Sequence, residues 1–158
     1  MLTSRLSALG KKGSSTMSLT KWLADFAGAW LAKPIGWIAL GGALGAVARA
    51  WVVKLSILEF GTSFSMGILV VNTLGSVVLG LLAGYTTYKT SLPLAFFAFA
   101  GAGFCGSFTT FSTYAVESIT LIKEANSVAP FFLNILLNNV FALAGALLGF
   151  EIARWSFP

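Results

Sequence analysis

The segment GFCGSFTTFSTY, Gly103 to Tyr114, lies inside one long apolar stretch and decides how the whole chain folds. It combines two glycines, four Ser or Thr hydroxyls besides Ser107, and four aromatic rings. Glycine has high backbone freedom, and Ser and Thr compete for backbone hydrogen bonds, so both weaken a helix locally. We therefore predict two half-helices with an irregular break near residues 106–110. The alternative is one long, tilted helix that overhangs the bilayer.

The composition is that of an integral membrane protein. Of 158 residues, 57% are apolar and 9% are charged, whereas soluble domains carry about 25% charged residues. There is no histidine, and Cys105 is the single cysteine, so the chain cannot form an internal disulfide and lacks the ligands of a Cys/His zinc site. We interpret Cys105 as a small hydrophobic residue. The net charge of +5 indicates interfacial lysines and not nucleic-acid binding.

Four segments are long and apolar enough to span a bilayer, which takes about 20 residues. They cover residues 34–53, 64–88, 92–122 and 128–150, with short polar separators. The third segment is too long for one straight span, which supports the break. Irregular backbone at membrane depth is tolerated only where it is buried in protein or lines a wet cavity. The prediction is an all-α, multi-pass protein of the cell membrane with four transmembrane helices, the third broken mid-membrane.

Residues 1–33 differ from the rest of the chain. The first 17 residues are rich in Ser, Gly and Lys, which predicts disorder. Thr20 to Lys33 predicts a short amphipathic helix that lies in the membrane interface, with Trp22, Phe26 and Trp30 on its apolar face. A signal peptide is less favoured because no long apolar core precedes a cleavage site, and Met17 is an alternative start. We therefore divide the chain into a leader, 1–33, and a four-helix domain, 34–158.

Basic residues do not define the orientation of the four spans. They are spread evenly over the two sides, with Lys89 and Arg154 on the side of the termini and Lys54 and Lys123 on the other. The positive-inside rule therefore makes no clear choice for the four-helix domain. This balance is compatible with insertion both ways round and with an antiparallel homodimer, although the counts are small. Lys21 and Lys33 in the leader favour an N-terminus inside the cell.

Asparagines within the spans indicate more than helix packing. Asn72 shares a helical stripe with Ser76, and Asn134 and Asn138 lie one turn apart with Asn139 beside them. An amide in hydrocarbon is costly without hydrogen-bond partners. These side chains either bond across helices or line a polar path, and neutral donors suit an anion that must bind and leave. The glycines on the same stripes indicate close helix packing.

Aromatic rings and one carboxylate lie close to the predicted break. Phe108, Phe111 and Tyr114 flank it, and the positive edge of a ring can weakly stabilise a small anion, although apolar packing is the ordinary role. Glu117 follows in the same segment. It is a proton-coupling group, a partner for Arg49 or a residue near the interface, and we favour the last two.

Three motifs resemble the Fluc/CrcB family of fluoride channels. The stretch GGALGAVAR, 41–49, is similar to the family's G-G-x-x-G-A-x-x-R, and GILVVNTLGSVVLG, 67–80, to G-T-L-x-V-N-x-x-G-S-x-x-x-G. The most specific, GFCGSFTTFSTYAVE, 103–117, is similar to G-F-C-G-G-x-T-T-F-S-T-F-x-x-E. The resemblance covers residues 35–150, and the motifs occur in the family's order.

The resemblance implies a dual-topology homodimer with antiparallel subunits, two fluoride pores and a central structural Na+ at the dimer interface. The carbonyls of Gly106 and Thr109 match the positions that bind this cation. Positions that match the fluoride pore and its polar track are Asn72, Phe111, Ser112, Thr113, Tyr114, Asn134 and Asn138. Arg49 and Glu117 match further motif positions. The implied partners are fluoride, a second copy of the chain and the bilayer.

The resemblance also has two departures and leaves an alternative function open. Tyr114 stands where the family has its second Phe, and Ser107 replaces the second glycine of the break. The implied function is a passive channel, not an enzyme, that exports fluoride from the cytoplasm and protects against its toxicity. The alternative is a proton-coupled transporter of fluoride or of another small molecule. An enzyme is disfavoured because no nucleophile–base pair is present, and a scaffold is disfavoured because it would not need asparagines and a broken helix together.

Overall fold

The computed structural model describes residues 18–31, 33–61, 64–88, 92–125 and 127–156. The predicted disorder of residues 1–17 and the position of Lys89 therefore lie outside the described residues. The described part is helical and contains no strand. Its elements are α1 Leu19–Leu31, α2 Pro34–Phe60, α3 Met66–Tyr88, α4 Leu94–Phe97, a π-helical segment Ala98–Cys105, α5 Gly106–Phe108, α6 Phe111–Ala125 and α7 Ala129–Ser156.

Four stretches are long and apolar enough to cross a membrane, which confirms the prediction of an all-α, multi-pass membrane protein. They are Pro34–Phe60, Met66–Tyr88, Leu94–Lys123 and Ala129–Ser156. The third of them combines α4, the π-helical segment, α5 and most of α6. Most large apolar side chains on these helices are exposed, as expected of surfaces that face lipid.

The predicted ends of the first and fourth spans are both wrong, because each helix continues further along the chain. α2 continues to Phe60, so residues 54–60 are helical and not part of a polar connection. The helix ends only at Gly61, which has φ 73° and donates its N–H to the Ile57 carbonyl at 2.9 Å. Charge does not end a helix, whereas a left-handed glycine does. α7 likewise extends past residue 150, and its last turns hold an Arg154–Glu151 ion pair at 3.6 Å.

Glycines let α2 pack directly against the π-helical segment. A methyl group at Gly103 would lie 2.7 Å from the Ile38 carbonyl oxygen and 3.1 Å from the Cα of Gly41. Gly41 and Gly45 likewise lie against the backbone of Phe99 and Phe104. π-Helical turns are rare and frequently occur at functional sites. Here the segment leads directly into the residues that were predicted to break the helix.

The contact between α3 and α7 has the same basis. A methyl group at Gly84 would lie 2.8 Å from the Ala153 Cβ, and one at Gly145 would lie 2.9 Å from the Thr73 carbonyl oxygen. Small residues at these positions let transmembrane helices approach closely. The glycine stripes of the sequence are therefore packing surfaces, as predicted. This close contact holds the asparagines of α3 and α7 within hydrogen-bond distance of one another.

The leader contains a helix near the predicted segment. α1 presents three aromatic side chains on one exposed face, and none of them is buried against the four spans. The rings of Trp22 and Phe26 stack with centroids 5.2 Å apart, and those of Phe26 and Trp30 lie 5.6 Å apart. α1 ends at Leu31 and α2 begins at Pro34, so this aromatic face directly precedes the first membrane span in the chain.

Candidate functional site: an interrupted helix and an asparagine network

The third span is interrupted at two threonines. α5 ends at Phe108, Thr109 has extended backbone angles of φ −82° and ψ 158°, and α6 begins at Phe111. The predicted irregular stretch began at Gly106, but residues 106–108 are helical. Only Thr109 and Thr110 lie outside the helices in this region.

Asn72 on α3 forms hydrogen bonds to both backbone polar groups of Thr110. To continue the helix, the Thr110 N–H would donate to the Gly106 carbonyl. It donates instead to Oδ1 of Asn72 at 2.9 Å. The amide Nδ2 of Asn72 donates back to the Thr110 carbonyl at 3.3 Å. Buried backbone groups need hydrogen-bond partners. Because Asn72 supplies them, the interruption is stable in an apolar environment.

Thr110 also caps the helix that follows it. Its Oγ1 accepts a hydrogen bond from the Thr113 N–H at 3.2 Å, which is the usual N-cap geometry. The same oxygen donates to Thr113 Oγ1 at 3.1 Å and lies 3.3 Å from Ser112 Oγ. Ser112 and Thr113, both predicted site residues, therefore belong to the first turn of α6. Thr110 itself was not singled out, although a threonine just before a helix is the expected cap.

The asparagines of α3 and α7 form one continuous network. Asn72 Nδ2 donates to Asn138 Oδ1 at 3.1 Å, and Asn138 Nδ2 donates to Asn134 Oδ1 at 2.9 Å and to its carbonyl at 3.2 Å. Asn134 Nδ2 then donates to Ser118 Oγ at 2.9 Å, and Ser118 donates to the Tyr114 carbonyl at 2.7 Å. Asn134 and Asn138 are almost fully buried. The structure thus brings three predicted residues together and adds Ser118, which sequence reasoning missed.

A cavity of about 370 Å³ lies beside this network. Its wall has a polar part and an apolar part, and it is lined by Asn72, Gly75, Ser76, Leu79, Thr109, Thr110, Phe111, Tyr114, Asn138, Asn139, Ala142, Leu143 and Ala146. No residue of this wall carries a formal charge. Such a site can hold a small anion through neutral donors without trapping it.

The two aromatic positions of the site differ in environment. The rings of Phe111 and Tyr114 meet edge to face, with centroids 5.4 Å apart and planes at 62°. Phe111 is 79% exposed, whereas Tyr114 is only 8% exposed. The Tyr114 hydroxyl accepts a hydrogen bond from Nδ2 of Asn139 at 3.2 Å. Phe108 does not join this pair, because its ring stacks on Phe104 at 5.5 Å.

Arg49 and Glu117 do not pair. The Nη1 of Arg49 reaches the Thr109 carbonyl at 3.5 Å. Glu117 lies in a separate cavity of about 120 Å³ beside Ser56 and Ser65, and its buried Oε2 has no hydrogen-bond partner. Among the described residues the only ion pair joins Glu151 and Arg154. The interpretation of Glu117 as a partner for Arg49 is therefore wrong, because the interruption offers the arginine a carbonyl instead.

A cation at the interruption would depend on backbone oxygens. In the described part of the chain, no three His, Cys, Asp or Glu side chains converge on one point. The Gly106 carbonyl has lost its helical donor, the Thr110 N–H, to Asn72, and the Thr109 carbonyl belongs to a residue with extended backbone angles. Both oxygens fit the preference of hard cations for oxygen ligands. The Arg49 guanidinium opposes a cation at Thr109, although a contact of 3.5 Å is a weak hydrogen bond.

Comparison with known proteins agrees with this geometry. Residues 36–150 match the family model described as CrcB-like protein, Camphor Resistance (CrcB). Three similar proteins carry the name fluoride-specific ion channel FluC. The protein of Koribacter versatilis is 40% identical over 111 residues, which are 70% of this chain and 87% of the relative. That of Thermococcus kodakarensis is 41% identical over 117 residues, 74% and 93% of the two chains.

The third relative, from Vibrio parahaemolyticus, is 38% identical over 121 residues, 75% of this chain and 92% of its own. The matched region contains the interruption, the asparagine network and the cavity, and it excludes α1. The family model covers well over half of the chain, and the relatives are covered almost completely. The chain therefore belongs to the CrcB family.

Proposed function

We propose that this protein is a fluoride-selective channel that lets fluoride leave the cytoplasm down its electrochemical gradient. The observation that carries the proposal is the uncharged, partly polar cavity beside the Asn72–Asn138–Asn134 network, in a family whose similar members are named fluoride-specific channels. Fluoride is small and strongly hydrated, so a pore must replace its water with hydrogen-bond donors. An inside-negative potential would favour export by about 2.3 kcal/mol per charge per 100 mV.

The site proposal assigns roles to the predicted residues. Ser112, Thr113 and the two rings Phe111 and Tyr114 border the fluoride path at the start of α6. The asparagines at 72, 134 and 138 form the polar track beside it. This assignment is supported by the hydrogen bonds that join the three asparagines, and by the cavity, which is lined by Asn72, Asn138 and the two rings. Ser112 and Thr113 are linked to the cavity through Thr110. Arg49 is proposed to act at the interruption, through its bond to the Thr109 carbonyl.

The functional unit is proposed to be an antiparallel homodimer, with the interruption at mid-bilayer. Two features support a second copy. Phe111 borders the cavity with 79% of its surface exposed, so one copy of the chain does not complete the wall around it. Gly106, whose carbonyl has lost its helical donor, is also exposed. A partner packed across this surface would cover both residues.

A structural Na+ is proposed at the dimer interface, held by the carbonyls of Gly106 and Thr109. Bound there, the cation would offset anion charge and connect the two copies. The chain's own contribution is the Gly106 carbonyl, which Asn72 frees by accepting the Thr110 N–H, and the Thr109 carbonyl, which Arg49 contacts only at 3.5 Å.

Residues 1–33 are proposed to be a leader outside the channel domain of residues 34–158. The family match begins at residue 36, after α1 ends. The aromatic face of α1 and the lysines at 21 and 33 suit a helix in the interfacial layer of a cell membrane, where Trp is enriched.

Fluoride efflux from liposomes tests the function. The purified protein is reconstituted with internal potassium fluoride, valinomycin starts the flow, and an electrode records external fluoride. We expect rapid fluoride efflux, negligible chloride efflux in parallel vesicles, and no requirement for a pH gradient. Fluoride flux that appears only with a pH gradient would support the proton-coupled alternative, for which Glu117 is the carboxylate of the third span. No flux from a folded protein would overturn the channel proposal.

A further inference from the structure

Most donors that border the cavity are already used within the protein. Both N–H groups of Asn72 are engaged, by the Thr110 carbonyl and by Asn138 Oδ1. Both N–H groups of Asn138 are engaged by Asn134. An amide has only two N–H donors. These two asparagines therefore hold the interruption and the helices together in this structure and have no N–H left for an anion.

The other polar residues of the wall also donate their hydrogen bonds to groups within the protein, with two exceptions. The Thr109 hydroxyl donates to the Cys105 carbonyl at 2.9 Å, and the Thr110 hydroxyl donates to Thr113 Oγ1. The Asn139 amide donates to the Tyr114 hydroxyl and to the Ile135 carbonyl at 2.8 Å. Two hydroxyl protons remain without a recipient in the described part of the chain, those of Tyr114 and Ser76.

The Asn139 contact determines where the Tyr114 proton can point. A hydroxyl has one donor and two acceptor positions and rotates to suit its partners. Because the Tyr114 oxygen accepts the Asn139 amide at 3.2 Å, its own proton must turn away from that amide. Tyr114 is only 8% exposed and lines the cavity, so the cavity is the open space into which its hydroxyl proton can point. In a chain with Phe at this position, Asn139 would have no such role.

We propose that the hydroxyls of Tyr114 and Ser76 are the anion-binding donors of this cavity, with Asn139 as a positioning residue that orients the Tyr114 hydroxyl. The proposal rests on the proposed channel function and deepens it, since it names the donors that meet fluoride. The two hydroxyls come from different helices, α6 and α3, so they approach an ion from different directions. Neither carries charge, so the ion is bound without being trapped.

The test measures the fluoride concentration that gives half-maximal efflux from the reconstituted full chain. Tyr114→Phe keeps the ring and removes only the hydroxyl, and Ser76→Ala removes the other donor. Since hydrogen bonds to charged groups are the stronger kind, we expect each change to raise the half-saturating concentration about tenfold. Tyr88→Phe and Thr86→Val remove hydroxyls from α3 outside the cavity and serve as matched controls. Thermal unfolding confirms that each variant is folded.

The positioning role of Asn139 is tested in a double-mutant cycle. Asn139→Ala is expected to raise the half-saturating concentration about threefold in the wild-type background, because the Tyr114 proton is then no longer oriented. In the Tyr114→Phe background the same change should have no further effect. An equal effect in both backgrounds would overturn the positioning role, since a purely structural Asn139 acts without the hydroxyl.

An unchanged half-saturating fluoride concentration in both Tyr114→Phe and Ser76→Ala would overturn the donor assignment, while wild-type flux would still uphold the channel. Absence of wild-type flux would overturn both.

Discussion

At the scale of the residue, one amide explains why the third span can be interrupted. Asn72 pairs with both the N–H and the carbonyl of Thr110 and also donates to Asn138. We predict that Asn72→Leu lowers the free energy of unfolding by about 2–4 kcal/mol, because an unsatisfied buried polar group costs about 1–3 kcal/mol. The measurement is equilibrium unfolding in detergent, followed by far-ultraviolet circular dichroism.

Thr73→Val is the matched control for Asn72. Thr73 is the next residue on α3, and its hydroxyl bonds only to the Leu69 carbonyl of its own helix. Its removal should change the free energy of unfolding by less than about 0.5 kcal/mol, the usual range away from such features. Equal losses for the two variants would contradict the role given to Asn72.

Phe111 is predicted to matter for conduction and not for stability. Its ring is 79% exposed and touches Tyr114 edge to face, so little buried surface depends on it. Phe111→Ile should reduce fluoride efflux to the level of empty liposomes, because the ring edge would be lost from the proposed fluoride path. It should leave the elution volume of the purified protein unchanged. Phe96→Ile, an exposed ring on α4 away from the cavity, should conduct normally. Normal efflux through Phe111→Ile would refute the pore assignment.

At the scale of the element, close packing of α2 on the π-helical segment depends on a glycine. A methyl group at Gly103 would meet the Ile38 carbonyl at 2.7 Å, and backbone cannot move aside as a side chain can. We predict that Gly103→Ala destabilises the protein by about 1–3 kcal/mol, the usual cost of overpacking. Thermal unfolding of the purified protein measures the difference.

Gly28→Ala provides the opposite case. This glycine lies in α1 with no neighbour within 4 Å of an added methyl group, and alanine is the better helix former by about 1 kcal/mol. The change should leave stability equal or slightly raised. If both alanines were tolerated equally, the close contact between α2 and the π-helical segment would not hold in the folded protein.

The elements were predictable to different degrees. The four spans follow from hydropathy, because a bilayer demands long apolar runs with internally paired backbone. Their ends did not follow, because residues 54–60 remain helical until Gly61 and charge alone does not end a helix. The π-helical segment was not predicted, since it has no periodicity signal distinct from that of an α-helix. The capping role of Thr110 was readable from its place before an apolar helical run but was missed.

At the scale of the whole molecule, the proposed antiparallel dimer requires copies of the chain to insert in both orientations. In the Cys105→Ala background, a membrane-impermeant maleimide should label Ser127→Cys in intact cells to roughly half of its total, as the balanced charges of the spans suggest. Thr87→Cys lies at the opposite end of the spans and should give the same fraction. One site labelled fully and the other not at all would establish a fixed orientation and contradict the dual-topology homodimer.

The sequence alone determined the class and the number of spans, because hydropathy acts locally. It also predicted an irregular stretch at residues 106–110 from local glycine and hydroxyl content, and in the structure only Thr109 and Thr110 of that stretch lie outside the helices. It also marked the asparagines as needing partners. Only the tertiary structure decided which partners they take. Asn72 and Asn138 are 66 positions apart, and their contact exists because glycines bring α3 and α7 together. That contact uses the amide donors that a sequence would assign to an anion. In the described part of the chain, the hydroxyl protons of Tyr114 and Ser76 are then the ones at the cavity without a recipient.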